Sequence, residues 1–317
     1  MLPSIKLYLL NPRGFCAGVV RAIETVKKAL ALWGAPIYVK HHIVHNKHVV
    51  EELQRKGAIF VEDLNKVPRR SRLIYSAHGV SPTVRVLARE RDLVEIDATC
   101  GLVLRVHSAI KQFAAKGYHI LILGHKDHVE VVGALGEAPH VTRVISSLSD
   151  IEELPFSRKE KLFYVVQTTL NLDDLSELTK RLIEKYPFIR TLPRSSVCYA
   201  TTNRQQALKQ IAQHVNLVLV VGDPTSSNSN RLREIAKKER VCSHLVNEAA
   251  DLDPKWLKGV RAIGLTAGAS TPEQIVQSCV AQLKVWSSLE IEEMKYVEEN
   301  VYFQLPSEVK NPQQKPK

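Results

Sequence analysis

A chain of 317 residues with 44% hydrophobic and 24% charged residues has the composition of an ordinary globular protein and the length for two or three domains. No apolar run approaches the roughly 18 residues of a membrane span, and five scattered cysteines, none in a close pair, argue against a secreted disulfide scaffold. The net charge of +11 suits an anionic partner without saying whether that partner is a nucleic acid or a small phosphate.

Met1 to Leu10 is a short apolar run around one Lys with no small-residue cleavage site, so no signal peptide is expected and the cytoplasm is the expected compartment. From there one phrase recurs six times in chain order: a short Leu-rich or β-branched run, a polar loop, then a helix-period segment. The runs are Leu7 to Leu10, Leu73 to Tyr75, Ile120 to Leu123, Leu162 to Val166, Leu217 to Val221 and Ala262 to Leu265. Such units predict parallel α/β architecture, in which ligands sit where strands end and helices begin. All six loops are therefore candidate walls of a site.

The cysteines set a register on this repetition. Cys16, Cys100 and Cys198 each follow a loop and precede a helix-period segment. At nearly equal distances after them come first His45, His128 and Asn228, then His78, Thr168 and Ser270. This predicts three similar α/β domains around a pseudo-threefold axis, spanning residues 1–99, 100–197 and 198–285, with 286–317 as a C-terminal segment. A single doubly wound sheet with evenly spaced units is the alternative. The Lys, Pro and Gln content from Gln304 to Lys317 predicts a disordered tail, and Val301-Tyr302-Phe303 before it is expected to pack back on the body.

A cysteine at a helix N-terminus sits where backbone N–H groups and the dipole favour the thiolate. One such cysteine per domain, rather than a close CxxC pair, points to a metal centre at a domain junction, and three thiolates would leave one iron of an iron–sulfur cluster open. Cys242 and Cys279 read as core packing. The loop residues His45, His78, His128, Ser226, Asn228 and Ser270 offer donors without carboxylates, as a diphosphate requires. The run Thr225 to Asn230 follows a strand and precedes Arg231, so it reads as an anion-binding nest rather than a linker. Glu130 is the one acid near these donors, either a proton relay or a residue favoured by the helix dipole. Thr168 either orients a hydroxyl or caps a helix.

The blocks Asn11 to Val19, His45-Asn46, Ser76 to Val80, Asp97 to Cys100, Gly124-His125 with His128 and Glu130, Gln167 to Leu170, Cys198 to Gln205, Ser226 to Leu232 and Thr266 to Ser270 resemble those of the LytB/IspH family. These are the hydroxymethylbutenyl diphosphate reductases of the non-mevalonate isoprenoid pathway, and the resemblance runs from about Leu7 to Pro306. It implies a three-domain α/β trefoil around a [4Fe–4S] cluster held by Cys16, Cys100 and Cys198. It further implies that His45, His78, His128, Ser226, Ser227, Asn228 and Ser270 hold the allylic diphosphate, that Glu130 delivers protons and that Thr168 orients the substrate hydroxyl. Two electrons would arrive singly from a ferredoxin- or flavodoxin-type donor, and the products would be isopentenyl and dimethylallyl diphosphate. Gly101 and Val129 stand where the family has proline, and both are expected to loosen the loops of the second domain. A quinolinate-synthase-like iron–sulfur dehydratase shares the three-cysteine plan and is the alternative, favoured by turnover without an electron donor. A nucleic-acid-binding role lacks an aromatic-interleaved basic run and is not expected.

Overall fold

The computed structural model describes residues 4–192 and 197–310. The chain opens with strand β1 (Ser4–Asn11) and helix α1 (Ala17–Trp33). Four strands follow, β2 (Ile37–Lys40), β3 (Ala58–Val61), β4 (Arg72–Tyr75) and β5 (Val94–Asp97), with α2 (Lys47–Arg55) and α3 (Pro82–Glu90) between them. Helix α4 (Gly101–Ala115) leads to β6 (His119–Leu123), β7 (Thr142–Ile145), β8 (Leu162–Val166) and β9 (Arg190–Thr191), interleaved with α5 (Val129–Leu135), α6 (Leu148–Glu152) and α7 (Leu172–Lys185). Helix α8 (Tyr199–Ala212) leads to β10 (Leu217–Val221), β11 (Cys242–Val246), β12 (Ala262–Ala267) and β13 (Ser288–Lys295), with α9 (Ser227–Lys238) and α10 (Glu273–Trp286) between them and the short α11 (Ser307–Lys310) after them. No described helix is long and apolar enough to cross a membrane.

All six expected runs are strands, and the sheets are parallel. Their strand orders are β3-β2-β4-β5, β7-β6-β8-β9 and β11-β10-β12-β1-β13. The same order thus recurs three times, with β1 inserted between the third and fourth strands of the last sheet. This insertion corrects the expected membership of the N-terminal strand. β1 pairs with β12 through Leu7↔Ile263 and with β13 through Leu7↔Ile291, so it does not belong with the strands of residues 37–97.

The chain forms two compact units. One comprises the residues up to Cys16, His45–Lys47 and Tyr199–Val301, and contains the five-stranded sheet. The other comprises Ala17–Val44, His48–Cys198 and the residues from Tyr302 on, and contains both four-stranded sheets.

In the first unit the sheet is covered on both faces, as parallel sheets are. Leu217, Leu219 and Val221 of β10 join a core with Ile5, Leu7 and the α10 residues Val276 and Leu283. Val218 and Val220 point the other way, against Leu208 and Ile211 of α8 and Leu232 and Ile235 of α9. Cys279 is buried in the first of these cores, as expected, and burial, with the nearby Asp251 and Glu248, pushes its thiol up to about 12. Cys242 is not a core residue. It is exposed on β11, an edge strand whose first residue points to solvent, with its Sγ 3.6 Å from His244 Nε2.

Arg204 of α8 is fully buried in the same unit and donates to Ala200 O at 2.9 Å, Gly14 O at 2.8 Å and Glu299 Oε1 at 3.1 Å. Replacing it with Met is expected to destabilise the protein by about 3–5 kcal/mol in denaturant unfolding, because the Gly14 carbonyl loses this donor and Glu299 loses its cationic partner, keeping only the amide of Asn203.

In the second unit β6 and β8 are likewise buried on both faces. Leu121, Leu123, Tyr164 and Val166 pack with Leu175, Leu178 and Leu182 of α7, and Ile120, Ile122, Phe163 and Val165 pack with Val106 and Ile110 of α4. The expected disordered tail begins too early. Arg21 Nε donates to Gln304 O at 2.7 Å, Val309 of α11 is fully buried, and only residues 311–317 of that expectation lie outside the described residues. Of the run expected to pack back, Phe303 does while Val301 and Tyr302 are exposed, and Phe303 explains Gly101. A Cβ at position 101 would come within 2.9 Å of the Phe303 ring, so glycine makes room for an aromatic ring over the first turn of α4.

Candidate active site

The first unit gathers three loops at the C-terminal ends of its strands β1, β10 and β12, together with the segment His45–Lys47. After β1, Gly14 takes a positive φ of 66° and lies so close to Thr271 that a Cβ would sit 3.1 Å from its carbonyl oxygen. Only glycine meets both conditions without strain. The loop is then tied to the β12–α10 connection by hydrogen bonds from Gly14 N to Ala267 O at 3.4 Å and from Cys16 N to Ala269 O at 3.1 Å. Cys16 therefore stands beside Ser270. Ser270 Oγ donates to His45 O at 2.9 Å, and Lys47 N donates to Asp223 Oδ2 at 2.8 Å, which fixes the His45 loop between the β10 and β12 loops. Burial alone would push the Asp223 carboxyl up, but hydrogen bonds from Thr225 and Lys47 and the nearby His45 hold it below its ordinary value.

Helix α9 begins in the β10 loop. Ser226 is its N-cap and accepts from Ser229 N at 3.4 Å, while Ser227 and Asn228 form its first turn. Asn228 is 5% exposed, and both its Oδ1 and Nδ2 are buried without a hydrogen-bond partner. A buried amide left with both functions unused costs about 1–3 kcal/mol, and a ligand oxygen beside it would remove part of that cost. Ser226, Asn228 and Ser270 thus lie on the β10 and β12 loops of one sheet, and His45, from the loop after β2, is tied to them through its carbonyl oxygen.

The second unit holds the remaining candidates. Cys100 is the N-cap of α4, and its side chain makes no capping bond. Its backbone is fixed by Cys100 N donating to Ala77 O at 3.0 Å, and Arg21 donates to Thr99 O at 2.7 Å and Asp97 O at 3.0 Å. His78 lies on the β4 loop, with its Nδ1 3.2 Å from Ser76 Oγ and its ring centroid 6.4 Å from that of His128. His128 caps α5 and accepts from Glu130 N at 3.3 Å. The cap forms with Val129 at the first helical position.

Glu130 is 4% exposed, and its two oxygens accept from Thr168 N and Thr168 Oγ1, each at 2.8 Å. Burial pushes its carboxyl above the ordinary value, and the two Thr168 bonds and the charge of His107 only partly oppose it. A carboxyl raised in this way keeps its proton in a range where an exposed one would be ionised, as a proton donor requires. Thr168 also links this acid to the third cysteine, since Cys198 N donates to Thr168 O at 3.3 Å.

Cys16, Cys100 and Cys198 directly precede α1, α4 and α8, and none of the five cysteines is in a disulfide. No group of three His, Cys, Asp or Glu side chains among the described residues is placed to hold a single metal ion. An iron–sulfur cluster makes a different demand, one thiolate per iron, and the donor chemistry of three helix-start thiols with Cys279 kept protonated in the core fits it. The sequence reading missed the residues that hold these loops in place: Arg21, Arg204, Asp223 and Gln167, whose Oε1 accepts from His125 N at 2.9 Å. Arg204 stands in the Cys198 to Gln205 block, but its partners Gly14 and Glu299 are too distant in sequence to be read from it.

These features define a parallel α/β protein with polar loops at its strand ends, a cysteine ahead of each of three helices and a buried acid. The chain belongs to the LytB family: the family described as LytB protein matches residues 7–284. It is 60% identical over 307 residues, covering 97% of this chain and 98% of its relative, to the 4-hydroxy-3-methylbut-2-enyl diphosphate reductase of Protochlamydia amoebophila (strain UWE25). It is 55% identical over 306 residues to the protein of the same name from Chlamydia pneumoniae, with 96% and 99% coverage. Among solved structures it is similar to the E-1-hydroxy-2-methyl-but-2-enyl-4-diphosphate reductase from Plasmodium falciparum, with a TM-score of 0.95, 46% identity and 98% of each chain covered. A second structure, of (E)-4-hydroxy-3-methyl-but-2-enyl diphosphate reductase, matches with a TM-score of 0.64 and 29% identity over 90% of this chain and 100% of that one.

Proposed function

We propose that this chain reduces 4-hydroxy-3-methylbut-2-enyl diphosphate to isopentenyl and dimethylallyl diphosphate, the terminal step of the non-mevalonate pathway, with a [4Fe–4S] cluster on Cys16, Cys100 and Cys198. The reaction takes two electrons and two protons and releases the substrate hydroxyl as water. When bound, the cluster supplies electrons singly and, at the iron without a protein thiolate, a Lewis acid for that hydroxyl. His45, His78, His128, Ser226, Ser227, Asn228 and Ser270 hold the diphosphate by charge-assisted hydrogen bonds and so position the allylic carbon. Thr168 Oγ1 orients the hydroxyl, and Glu130, held in place by Thr168 N and Oγ1, gives up the proton of its carboxyl group.

The observation that carries this reading is the buried Glu130–Thr168 pair, because burial raises the Glu130 carboxyl and so favours its protonated form, which supplies a proton donor beside the loops that carry Thr168 and His128. The net charge of +11 suits an acidic one-electron carrier of ferredoxin or flavodoxin type as the donor, and reduced thiol ligands suit the cytoplasm. The test is anaerobic incubation of cluster-loaded protein with the allylic diphosphate, with and without dithionite-reduced viologen. Both products are expected to form only with reductant. Consumption of substrate without reductant would refute the reading.

Asn228→Ala and Ser270→Ala are expected to weaken substrate binding by about 1.5–3 kcal/mol each. Titration of the oxidised, cluster-loaded protein with substrate measures this, and unchanged affinity in both would place the diphosphate elsewhere.

A further inference from the structure

Beside α5 lies a buried polar group that the proposed reaction does not use. His107 of α4 is 5% exposed, its Nδ1 is 2.7 Å from Glu137 Oε1, and Glu137 Oε2 pairs with Lys111 Nζ at 3.0 Å. Burial alone would push the Glu137 carboxyl up, but the hydrogen bonds from His107 and Lys111 outweigh it and hold the group below its ordinary value. A carboxylate only accepts hydrogen bonds, so His107 Nδ1 carries a hydrogen and donates it. The other nitrogen, Nε2, is buried without a hydrogen-bond partner.

Nε2 lies on the side of the ring that meets α5 and the β4 loop. A Cβ on Gly79 would come within 3.1 Å of it, and a Cβ on Gly133 within 3.6 Å of the adjoining Cε1. Gly133 is three residues after Glu130, so the two share a face of α5, and both are buried. The other titratable side chains around α5 are His128 at its N-cap, His78 on the β4 loop, Lys111 of α4 and Glu137 beyond its C-terminus. His107 packs against the face of α5 that carries Gly133 and Glu130, where a positive charge on its ring favours the ionised form of Glu130.

We propose that His107, fixed in its Nδ1–H form by Glu137, is a positioning residue for proton transfer at Glu130. A proton on Nε2 favours the Glu130 carboxylate and so eases release of the Glu130 proton to substrate, and loss of the Nε2 proton favours reloading of the acid. The idea rests on Glu130 being the proton donor, and the test separates the two.

In cluster-loaded protein the carbonyl stretch of protonated Glu130, assigned by its disappearance in E130Q, is followed by infrared spectroscopy against pH in the parent and in H107Q. The 15N signal of His107 Nε2 is followed against pH in the parent and in E130Q. Removing the His107 charge is expected to raise the pH midpoint of the Glu130 band by roughly one unit, the scale of one charge across a helix contact at an effective dielectric of about 20. By linkage, E130Q lowers the His107 midpoint by a similar amount, and this arm needs no change at position 107. In H107Q the alkaline limb of turnover under strong chemical reductant moves up with the Glu130 band. A His107 midpoint unchanged in E130Q overturns the proposal, as does an unmoved or lowered Glu130 band in a folded H107Q. If instead E130Q turns over at the parent rate while the two midpoints shift reciprocally, the coupling stands and the donor reading of Glu130 falls.

Discussion

Glu130→Gln is expected to cut turnover under strong chemical reductant by about 10²–10⁴-fold, the usual contribution of a positioned acid, while cluster content and substrate affinity stay near those of the parent. The amide preserves the local geometry. Its oxygen still accepts from Thr168 N, and its nitrogen donates to Thr168 Oγ1 in place of the bond that Glu130 now accepts. What it lacks is a transferable proton. Stability is expected to move the other way. A carboxyl raised above its unfolded-state value by burial contributes stability that is fully present below the unfolded value and is lost as pH rises through the folded one. The parent therefore loses stability as pH rises through that interval and the Gln variant does not, so the gap in Tm is expected to shift in favour of the variant as pH rises. A variant turning over within about threefold of the parent would show that protons reach the allylic carbon by another route.

Serine at Cys16, Cys100 or Cys198 is expected to abolish stoichiometric iron and sulfide binding, and with it activity, because a hydroxyl is a poor ligand for the iron of such a cluster. The two remaining cysteines are the controls. Cys279→Ala is expected to keep the cluster and lose only packing energy, since its thiol is buried in the core of the first unit and pushed up to about 12. Cys242→Ser, on an exposed edge strand, is expected to be silent. Anaerobic absorbance with iron and sulfide analysis reads all five variants. Full cluster retention in any of the first three would remove that residue from the ligand set.

Strands buried on both faces were legible in the sequence because they leave continuous apolar runs, as Leu217 to Val221 and Leu162 to Val166 do. Edge strands were not, nor was β2, which is interior and buried but only four residues long and ends in Lys40. β7 carries Arg143 within Thr142–Ile145, and β13 reads Ser-Leu-Glu-Ile-Glu-Glu-Met-Lys with most of its residues exposed. β13 is held by full-length pairing with β1 rather than by its own side chains, and its acidic face protects an edge from further pairing. The tail was misjudged for a related reason, since one buried residue, Val309, and the ring of Phe303 anchor a polar segment.

By itself the sequence determined the parallel βα units, the cysteine ahead of three helices and the polar loops at strand ends, all of which depend on residues near one another in the chain. Tertiary structure alone decided that β1 is inserted into the last sheet, that Arg204 ties Gly14 to Glu299, and that Glu130 meets Thr168 with His107 and Glu137 behind it. Each of these joins residues from 30 to 285 positions apart. Apolar periodicity records which face of an element is buried, whereas the partner a buried polar group finds depends on sheet order and loop path, which no local pattern encodes.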